Sequence, residues 1–511
     1  MSSVRRALLA VVGGLVLFTA FPDIGCWLAA PVAVAILVFS VRGASGRAAL
    51  LRGWLFGVAF FLPHLWWAYV AVGPVPWIAL SAAEALAIGL ATFAYARLVR
   101  SPRLNAALWA EPLVFAALWV GGEQLRSVAP FGGFPWGRIA FATADAPIAR
   151  FAWLGGTPLV SLITVLLGAA LGAAVIAMRQ RRPLFALSAP VLVIVVALIP
   201  IGLPLDARPE SGTLSVAWAQ GNLADRGLDS FDRAREVTRN HLDATLSLAA
   251  AQPDAGVDLL IWPENSSDID PRVDAQTAAD VTAAAQAFGA PLLLGTNDYS
   301  PADGRYNVSL VWLPTGAPLE GAEYRKQVPA AFAEYVPMRD IARFFSEEVD
   351  RVTSEVLPGE FPARVAIPIA SLQRDVVVGP IICFEVAYDW VARQAVREGA
   401  EFLAVQTNNA TFGATAESTQ QLAMSRLRAI ETGRATLQVS TVGVSGVITP
   451  TGHVVDSSEL FTQDAGIAHI PLRTSLTPAS QWGGPISLLC GLIAAGLFVL
   501  AVVSRPERRD P

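Results

Sequence analysis

Two hydrophobic patterns divide this chain. Between residues 7 and 204 apolar runs follow one another with short polar breaks, at 7–20, 27–41 and roughly 53–73, 75–96, 105–122, 151–178 and 184–204. A last run lies near the C-terminus at about 484–503. About 20 apolar residues suffice for a helix to cross a bilayer, so the pattern predicts about eight transmembrane helices, the first two near the short limit. From Thr213 the texture changes. Short runs at 214–220, 259–262, 292–295, 308–313, 365–369, 376–382, 403–407 and 437–444 read as strands. Residues 230–250, 275–288 and 418–433 carry apolar positions with a period near 3.6 and read as helices, the last with Gly433 where a C-cap belongs. Strands alternating with helices predict an α/β sheet covered by helices. The expected organisation is a transmembrane domain at 1–204 with about seven helices, a soluble domain at 205–478, and a closing helix with a short tail at 479–511.

Composition sharpens this reading. The 511 residues are 54% hydrophobic and only 15% charged, against about 25% charged in ordinary soluble domains. A signal peptide could account for the first run, but a second apolar run follows at once and no clean small-residue cleavage site separates them. Arg5 and Arg6; Arg42, Arg47 and Arg52; Arg97, Arg100 and Arg103; Arg179, Arg181 and Arg182; and Arg505, Arg508 and Arg509 fall on alternate loops and at both ends. The positive-inside rule makes that side cytoplasmic, which places the soluble domain outside. With those arginines set aside the chain is distinctly acidic, which argues against a nucleic-acid partner. The four His residues are scattered without ligand spacing, and no metal or other cofactor is expected. The three Cys imply no disulfide framework.

Three features of the apolar half go beyond spanning. The segment 130–136, PFGGFPW, lies between the fifth and sixth expected spans and reads either as interfacial anchoring or as lipid contact. Glu84 and Glu111 fall within expected spans, where an acidic group is expensive and marks a possible functional site. Glu111 is close to a span end, where solvation is the simpler account.

The soluble domain carries the chemistry. Val376 to Ile382 forms an apolar, β-branched run that ends at Cys383, followed by Phe384 and Glu385 and then by a helical stretch. A cysteine at a strand tip is where α/β enzymes commonly place a nucleophile, although cysteine is also among the most buried structural residues. Ile261-Trp262-Pro263-Glu264 is a second strand ending in a carboxylate. The segment 324–337, YRKQVPAAFAEYVP, holds Lys326 and, eight residues on, Glu334. Lys326 is the single lysine among 37 basic residues. Arginine cannot give up its proton, whereas a lysine ammonium is compact and shifts readily on burial. A carboxylate, an amine and a thiol are the parts of a thiol acyl-transfer site: proton acceptor, oxyanion donor and nucleophile.

The order WPE, K, C-x-E resembles the nitrilase superfamily, whose α-β-β-α sandwich carries a Glu-Lys-Cys triad. The preceding apolar spans, the PFGGFPW loop, Gln220-Gly221-Asn222 after the first strand, and the closing span narrow the likeness. Residues 407–413, TNNATFG, through Gln421, Arg426, Arg428, Glu431 and Arg434 extend it. Over essentially its whole length the chain resembles the bacterial apolipoprotein N-acyltransferase family, in an actinobacterial form. The family's K-x-x-L-V-P-F-G-E becomes Lys326 to Glu334 here with Ala331 and Ala333 replacing Pro and Gly. Its N-D-A-W-F-G becomes N-N-A-T-F-G, with Thr411 for Trp, and the tryptophan expected in 223–230 is missing. These departures leave the triad in place and bear on acyl-chain and acceptor preference.

The resemblance implies a nitrilase-like sandwich inserted in an all-α membrane domain, at the outer face of the bacterial inner membrane. It implies a monomer with Glu264, Lys326 and Cys383 catalytic and Glu334 and Glu385 supporting. The implied reaction moves an acyl chain from a membrane phospholipid, through a cysteine thioester, to the α-amine of diacylglyceryl-cysteine apolipoproteins. A membrane-tethered amidase using the same triad, and a non-catalytic scaffold for a polyprenyl-phosphate glycosyltransferase, are the alternative expectations.

Overall fold

The computed structural model describes residues 2–100, 110–181, 183–223 and 234–503. Arg103, Arg182, Arg505, Arg508 and Arg509, the start of the span expected at 105–122, residues 224–230 and the start of the helix expected at 230–250 lie outside them. The chain forms two compact units, Met1–Pro204 with Trp482–Pro511, and Leu205–Gln481.

The first unit is helical: α1 Ser3–Phe18, α2 Ala29–Val41, α3 Gly46–His64, α4 Trp66–Val72, α5 Pro74–Leu98, α6 Glu111–Arg126, α7 Ala152–Arg179 and α8 Pro183–Leu198. Among the described residues three helical stretches are long and apolar enough to cross a membrane: Pro74–Leu98, Pro147–Arg179 and Pro478–Val503. The pair α3 and α4, bent by 60°, makes a fourth if read as one broken span. Several of the eight expected runs are thus short helices, because Pro, Gly and polar residues interrupt them: α1 has 16 residues and α2 has 13. α3 and α5 approach closely because small residues meet. A methyl added at Gly57 would sit 2.7 Å from Ala85, the contact of small residues that apolar helices use to associate.

Two buried carboxylates in this unit are paired with arginines. Glu84 and Arg126 meet at 2.9 Å, and Arg126 also donates to the carbonyls of Phe134 (2.9 Å) and Trp136 (2.6 Å). The PFGGFPW segment is thereby pinned to α6, and Trp136, 1% exposed, stacks edge-on against Trp67. Glu111 is 1% exposed and bound to Arg42 at 3.0 Å. This corrects the solvated reading of Glu111, since a buried carboxylate needs a partner rather than water.

The second unit contains two six-stranded sheets. The strands are β1 Thr213–Gln220, β2 Leu259–Ile261, β3 Leu292–Asp298, β4 Tyr306–Trp312, β5 Pro318–Arg325, β6 Val365–Ile369, β7 Arg374–Ile382, β8 Phe402–Thr407, β9 Thr436–Ser440, β10 Gly446–Ile448, β11 Val454–Ser457 and β12 Asp464–Pro471. One sheet runs β12-β1-β2-β3-β4-β5, the other β11-β10-β9-β8-β7-β6, each mixing parallel and antiparallel pairs. α9 Ala234–Ala251 and α10 Ala275–Phe288 pack on the first sheet, and α12 Asp389–Arg397 and α13 Glu417–Thr432 on the second. A short helix, α11 (Arg339–Phe345), follows β5, and α14 (Pro478–Val503) follows β12.

Leu260, Trp262, Leu292 and Leu294 join Ala244, Leu248, Val281 and Ala285 in one apolar cluster under the helices. Their alternates Leu259, Ile261 and Leu293 are equally buried, as expected of strands covered on both faces. Gln406 of β8 links the sheets: its Nε2 donates to the Trp262 carbonyl at 2.6 Å and its Oε1 accepts from Ser309 at 2.5 Å. β5, with only Leu319, Ala322 and Tyr324 hydrophobic besides Pro318, and β10 to β12 are strands that the hydrophobic pattern misses. The strand expected at 437–444 ends at Ser440, where the chain turns: the Ser440 hydroxyl accepts from Gly443 N–H and the Ser418 hydroxyl from Val444 N–H. Gly433 caps α13 with φ +64°, the left-handed conformation that glycine adopts at no steric cost.

Candidate active site

Four segment ends converge in the soluble unit. β2 leads through Trp262 and Pro263 to Glu264. β5 runs directly into Lys326, whose N–H donates to the carbonyl of Asn307 at the start of β4 (2.9 Å). β7 delivers Cys383 and its parallel neighbour β8 delivers Asn408. The turn after Lys326 carries Glu334. Phe332 has φ +65° there, and Glu334 N–H donates to the Ala330 carbonyl at 2.8 Å. Ala333 is not among the residues with positive φ, so alanine replaces the family's glycine without strain.

Lys326, 1% exposed, is the centre of the cluster. Its Nζ lies 2.8 Å from Glu334 Oε2 and 3.4 Å from Glu264 Oε1. Asn307 Nδ2 donates to the same two carboxylates, at 2.8 Å to Glu264 Oε1 and 3.2 Å to Glu334 Oε1. Glu264 Oε2 accepts the Asn408 N–H at 2.9 Å, and the Glu264 charge acts on the Cys383 thiol. Gln421 Nε2 stands 3.7 Å from the Cys383 sulfur. Cys383 opens a short 3₁₀ turn, Cys383–Ala387, with φ +52°, a left-handed conformation in which a Cβ is crowded.

Glu385 stands apart from the Lys326 cluster. It is 0% exposed and accepts four hydrogen bonds: from the Tyr324 hydroxyl (2.7 Å) and from the N–H groups of Gln327 (2.7 Å), Val328 (3.1 Å) and Ile382 (2.8 Å). One carboxylate thus fastens the lysine loop to the cysteine turn. Of the five residues singled out by the sequence, Glu264, Lys326, Glu334 and Cys383 meet in one cluster and Glu385 braces the segments that carry two of them.

Comparison with known proteins fits the cluster into a family. The family model of the apolipoprotein N-acyltransferase N-terminal domain matches residues 13–170, and that of carbon-nitrogen hydrolase matches residues 215–476. An apolipoprotein N-acyltransferase of Mycolicibacterium smegmatis is 37% identical, covering 96% of this chain and 84% of that protein. One from Pseudomonas putida is 30% identical, covering 95% of each. The chain belongs to the apolipoprotein N-acyltransferase family. A solved Nesterenkonia amidase variant of the nitrilase superfamily covers 54% of this chain and 96% of its own at 18% identity, with a TM-score of 0.38.

As a member of the apolipoprotein N-acyltransferase family the chain is an acyltransferase, and its site is tuned by burial. Burial, reinforced by Glu334, raises the Glu264 carboxyl above its usual range, against the pull of Lys326, Asn307 and Cys383. Burial also disfavours the Lys326 ammonium, but Glu334, Glu264 and Cys383 outweigh it and hold the ammonium charged. Glu334 is likewise penalised by burial and is held ionised by Lys326 and the Ala330 N–H. Burial and the Glu264 charge push the Cys383 thiol well above its ordinary value. The resting site is therefore a neutral thiol beside a carboxylate with elevated proton affinity, an arrangement in which proton transfer accompanies nucleophilic attack. Burial pushes Glu385 up to about 7.

Asn307 escaped the sequence reading. It is one polar residue at the start of an otherwise apolar strand, and only the pairing of β4 with β5 places it opposite Lys326. Asn408 contributes through its backbone, for which side-chain identity carries no signal.

Proposed function

We propose that this acyltransferase moves a fatty acyl chain from a membrane phospholipid, through a thioester on Cys383, to the N-terminal α-amine of diacylglyceryl-cysteine apolipoproteins. The observation that carries the reading is a buried Glu264 that Lys326 and Asn307 bind and whose charge acts on the Cys383 thiol, in a chain of this family.

In the first step the thiol proton passes to Glu264 and the sulfur bonds to the ester carbonyl carbon. The tetrahedral intermediate then collapses, the ester C–O bond breaks, and Glu264 returns the proton to the departing lysophospholipid oxygen. In the second step the neutral amine attacks the thioester, Glu264 takes a proton from nitrogen, and the C–S bond breaks. The cysteine sulfur leaves as thiolate and regains that proton. Lys326 stabilises both oxyanions: two of its three N–H groups are directed at Glu334 and Glu264, and the third is available to a substrate oxygen. Glu334 orients Lys326, and Glu385 holds the lysine loop against the cysteine turn.

The membrane half of the same reading is a chain of about eight spans that acts as a monomer, with the catalytic domain on the extracytoplasmic side. Its support is the clustering of arginines on alternate loops, with none in the short loops at 21–26 and 73–75, and the long apolar helices.

The test is intact-protein mass spectrometry of the detergent-extracted chain incubated with phospholipid alone. The expected result is a mass increase of one fatty acyl group, labile to neutral hydroxylamine and absent in Cys383→Ala. An unmodified wild-type protein, with no lysophospholipid released, sinks the proposal in favour of an amidase or a scaffold.

A further inference from the structure

Behind the Cys383 sulfur lies a buried polar chain that the steps above do not use. Gln421 Nε2 faces the sulfur at 3.7 Å, and Gln421 Oε1 accepts from Asn409 Nδ2 at 3.0 Å. The same Asn409 nitrogen donates to Glu417 Oε2 at 2.5 Å, while Asn409 Oδ1 accepts from Thr407 (3.0 Å) and Ser440 (2.5 Å). Both amide hydrogens and both lone pairs of Asn409 are therefore committed. Glu417, Asn409 and Gln421 are 3%, 2% and 0% exposed, so water cannot stand in for a missing member without entering the core.

The polarity of this chain matters. An amide can present either end to a neighbour, and its hydrogen-bond partners decide which. With Glu417 as acceptor at one end and two hydroxyls donating at the other, Asn409 turns its NH₂ toward Gln421. Gln421 must then answer with its carbonyl, which leaves its own NH₂ for the sulfur. An N–H aimed at sulfur stabilises a thiolate, and a carbonyl there opposes one.

We propose that Glu417 is a positioning residue for the nucleophile, acting through Asn409 to fix the Gln421 amide with its N–H toward Cys383. The inference rests on Cys383 being the nucleophile. Burial also keeps the Glu417 carboxyl protonated at neutral pH, pushed up to about 8 with Glu264 adding to the effect and Asn409 opposing it. The neutral carboxyl accepts the Asn409 hydrogen without placing a second negative charge near the sulfur. The charged and titratable groups around it are Glu264 and Cys383, with Lys326 and Glu334 beyond them. Ionisation of Glu417 above about pH 8 adds a charge that disfavours the thiolate.

The experiment is single-turnover acylation of the full-length, detergent-extracted protein from mixed micelles of phosphatidylethanolamine and phosphatidylglycerol, followed by intact mass between pH 6 and pH 9. Wild type is compared with Glu417→Gln, Glu417→Leu, Gln421→Met and Cys383→Ala. Glu417→Gln keeps an acceptor and cannot ionise. It is expected within about threefold of wild type at pH 7, without the decline that Glu417 ionisation imposes on wild type at high pH. Glu417→Leu and Gln421→Met are expected at least tenfold slower, with half-saturation by phospholipid unchanged. If Glu417→Leu does not fold, Gln421→Met, which keeps volume and removes the donor, decides alone. Rates of the folded variants within twofold of wild type at every pH overturn the proposal. Undiminished acylation in Cys383→Ala overturns instead the reading on which it rests.

Discussion

Asn307 donates a side-chain hydrogen to Glu264 at 2.8 Å, and the same nitrogen is 3.2 Å from Glu334. A neutral donor thus shares with Lys326 the task of keeping two carboxylates together in a site that excludes water. Asn307→Asp turns that donor into a third carboxylate, and acylation is expected to fall at least hundredfold. Asn307→Ala removes hydrogen bonds to charged groups worth roughly 1.5–3 kcal/mol, a loss on the order of tenfold to hundredfold. Single-turnover acylation measures both. An Asn307→Asp enzyme within threefold of wild type would remove Asn307 from this role.

Lys326→Arg keeps the charge and changes its shape. The guanidinium is planar and larger than an ammonium, and Lys326 sits at 1% exposure between two carboxylates. We expect at least a hundredfold loss of acylation in a protein that still folds, checked by mass spectrometry beside a thermal melt. Near-normal turnover would show that charge alone suffices.

The pH dependence follows from Glu264. Burial raises its carboxyl above the ordinary 4.5, and Glu334 adds to the shift, while Lys326 opposes it. The basic form is therefore populated only above that raised value. The acid limb of kcat/KM should lie higher than 4.5, with activity increasing as pH rises through it. Removing the stabilising cation in Lys326→Met should move the limb upward again. A limb that stays in place in the variant would assign it to another group.

Glu385 predicts a stability effect distinct from chemistry. Glu385→Ala strands the Tyr324 hydroxyl and the N–H groups of Gln327, Val328 and Ile382 in the interior. Each buried unsatisfied donor costs about 1–3 kcal/mol, so a destabilisation on the order of 3 kcal/mol or more is expected. Glu385→Gln retains one acceptor oxygen and should fall between the two. Thermal unfolding in detergent reads the difference, and equal melting temperatures for all three proteins would show that these bonds do not stabilise the fold.

The sequence made the α/β unit and the residues of its candidate site legible because both leave local marks. Val376 to Ile382 can only be a buried strand, and the residues after it, after Ile261 and after Arg325 are then strand ends. What it hid depends on pairing at a distance. Asn307 acquires meaning only opposite Lys326, and Glu111 only beside Arg42. β5 and β12 owe their place to neighbours, β12 pairing with β1 along its full length from Thr213–Pro471 to Gln220–Asp464. The apolar half shows the opposite failure. Hydropathy finds every greasy stretch, but a helix that stops at Phe18 or Val41 is set by turns and prolines that an average over residues smooths away.

The left-handed backbone at Cys383 separates reactivity from folding. Cys383→Ala keeps a Cβ in that crowded conformation. Cys383→Gly relieves about 1–2 kcal/mol of crowding, partly offset by the greater freedom of glycine in the unfolded chain. Losing the nucleophile to glycine thus costs the architecture little or nothing. On the proposed mechanism, an active enzyme of this design and a folded but inactive one therefore stand one substitution apart.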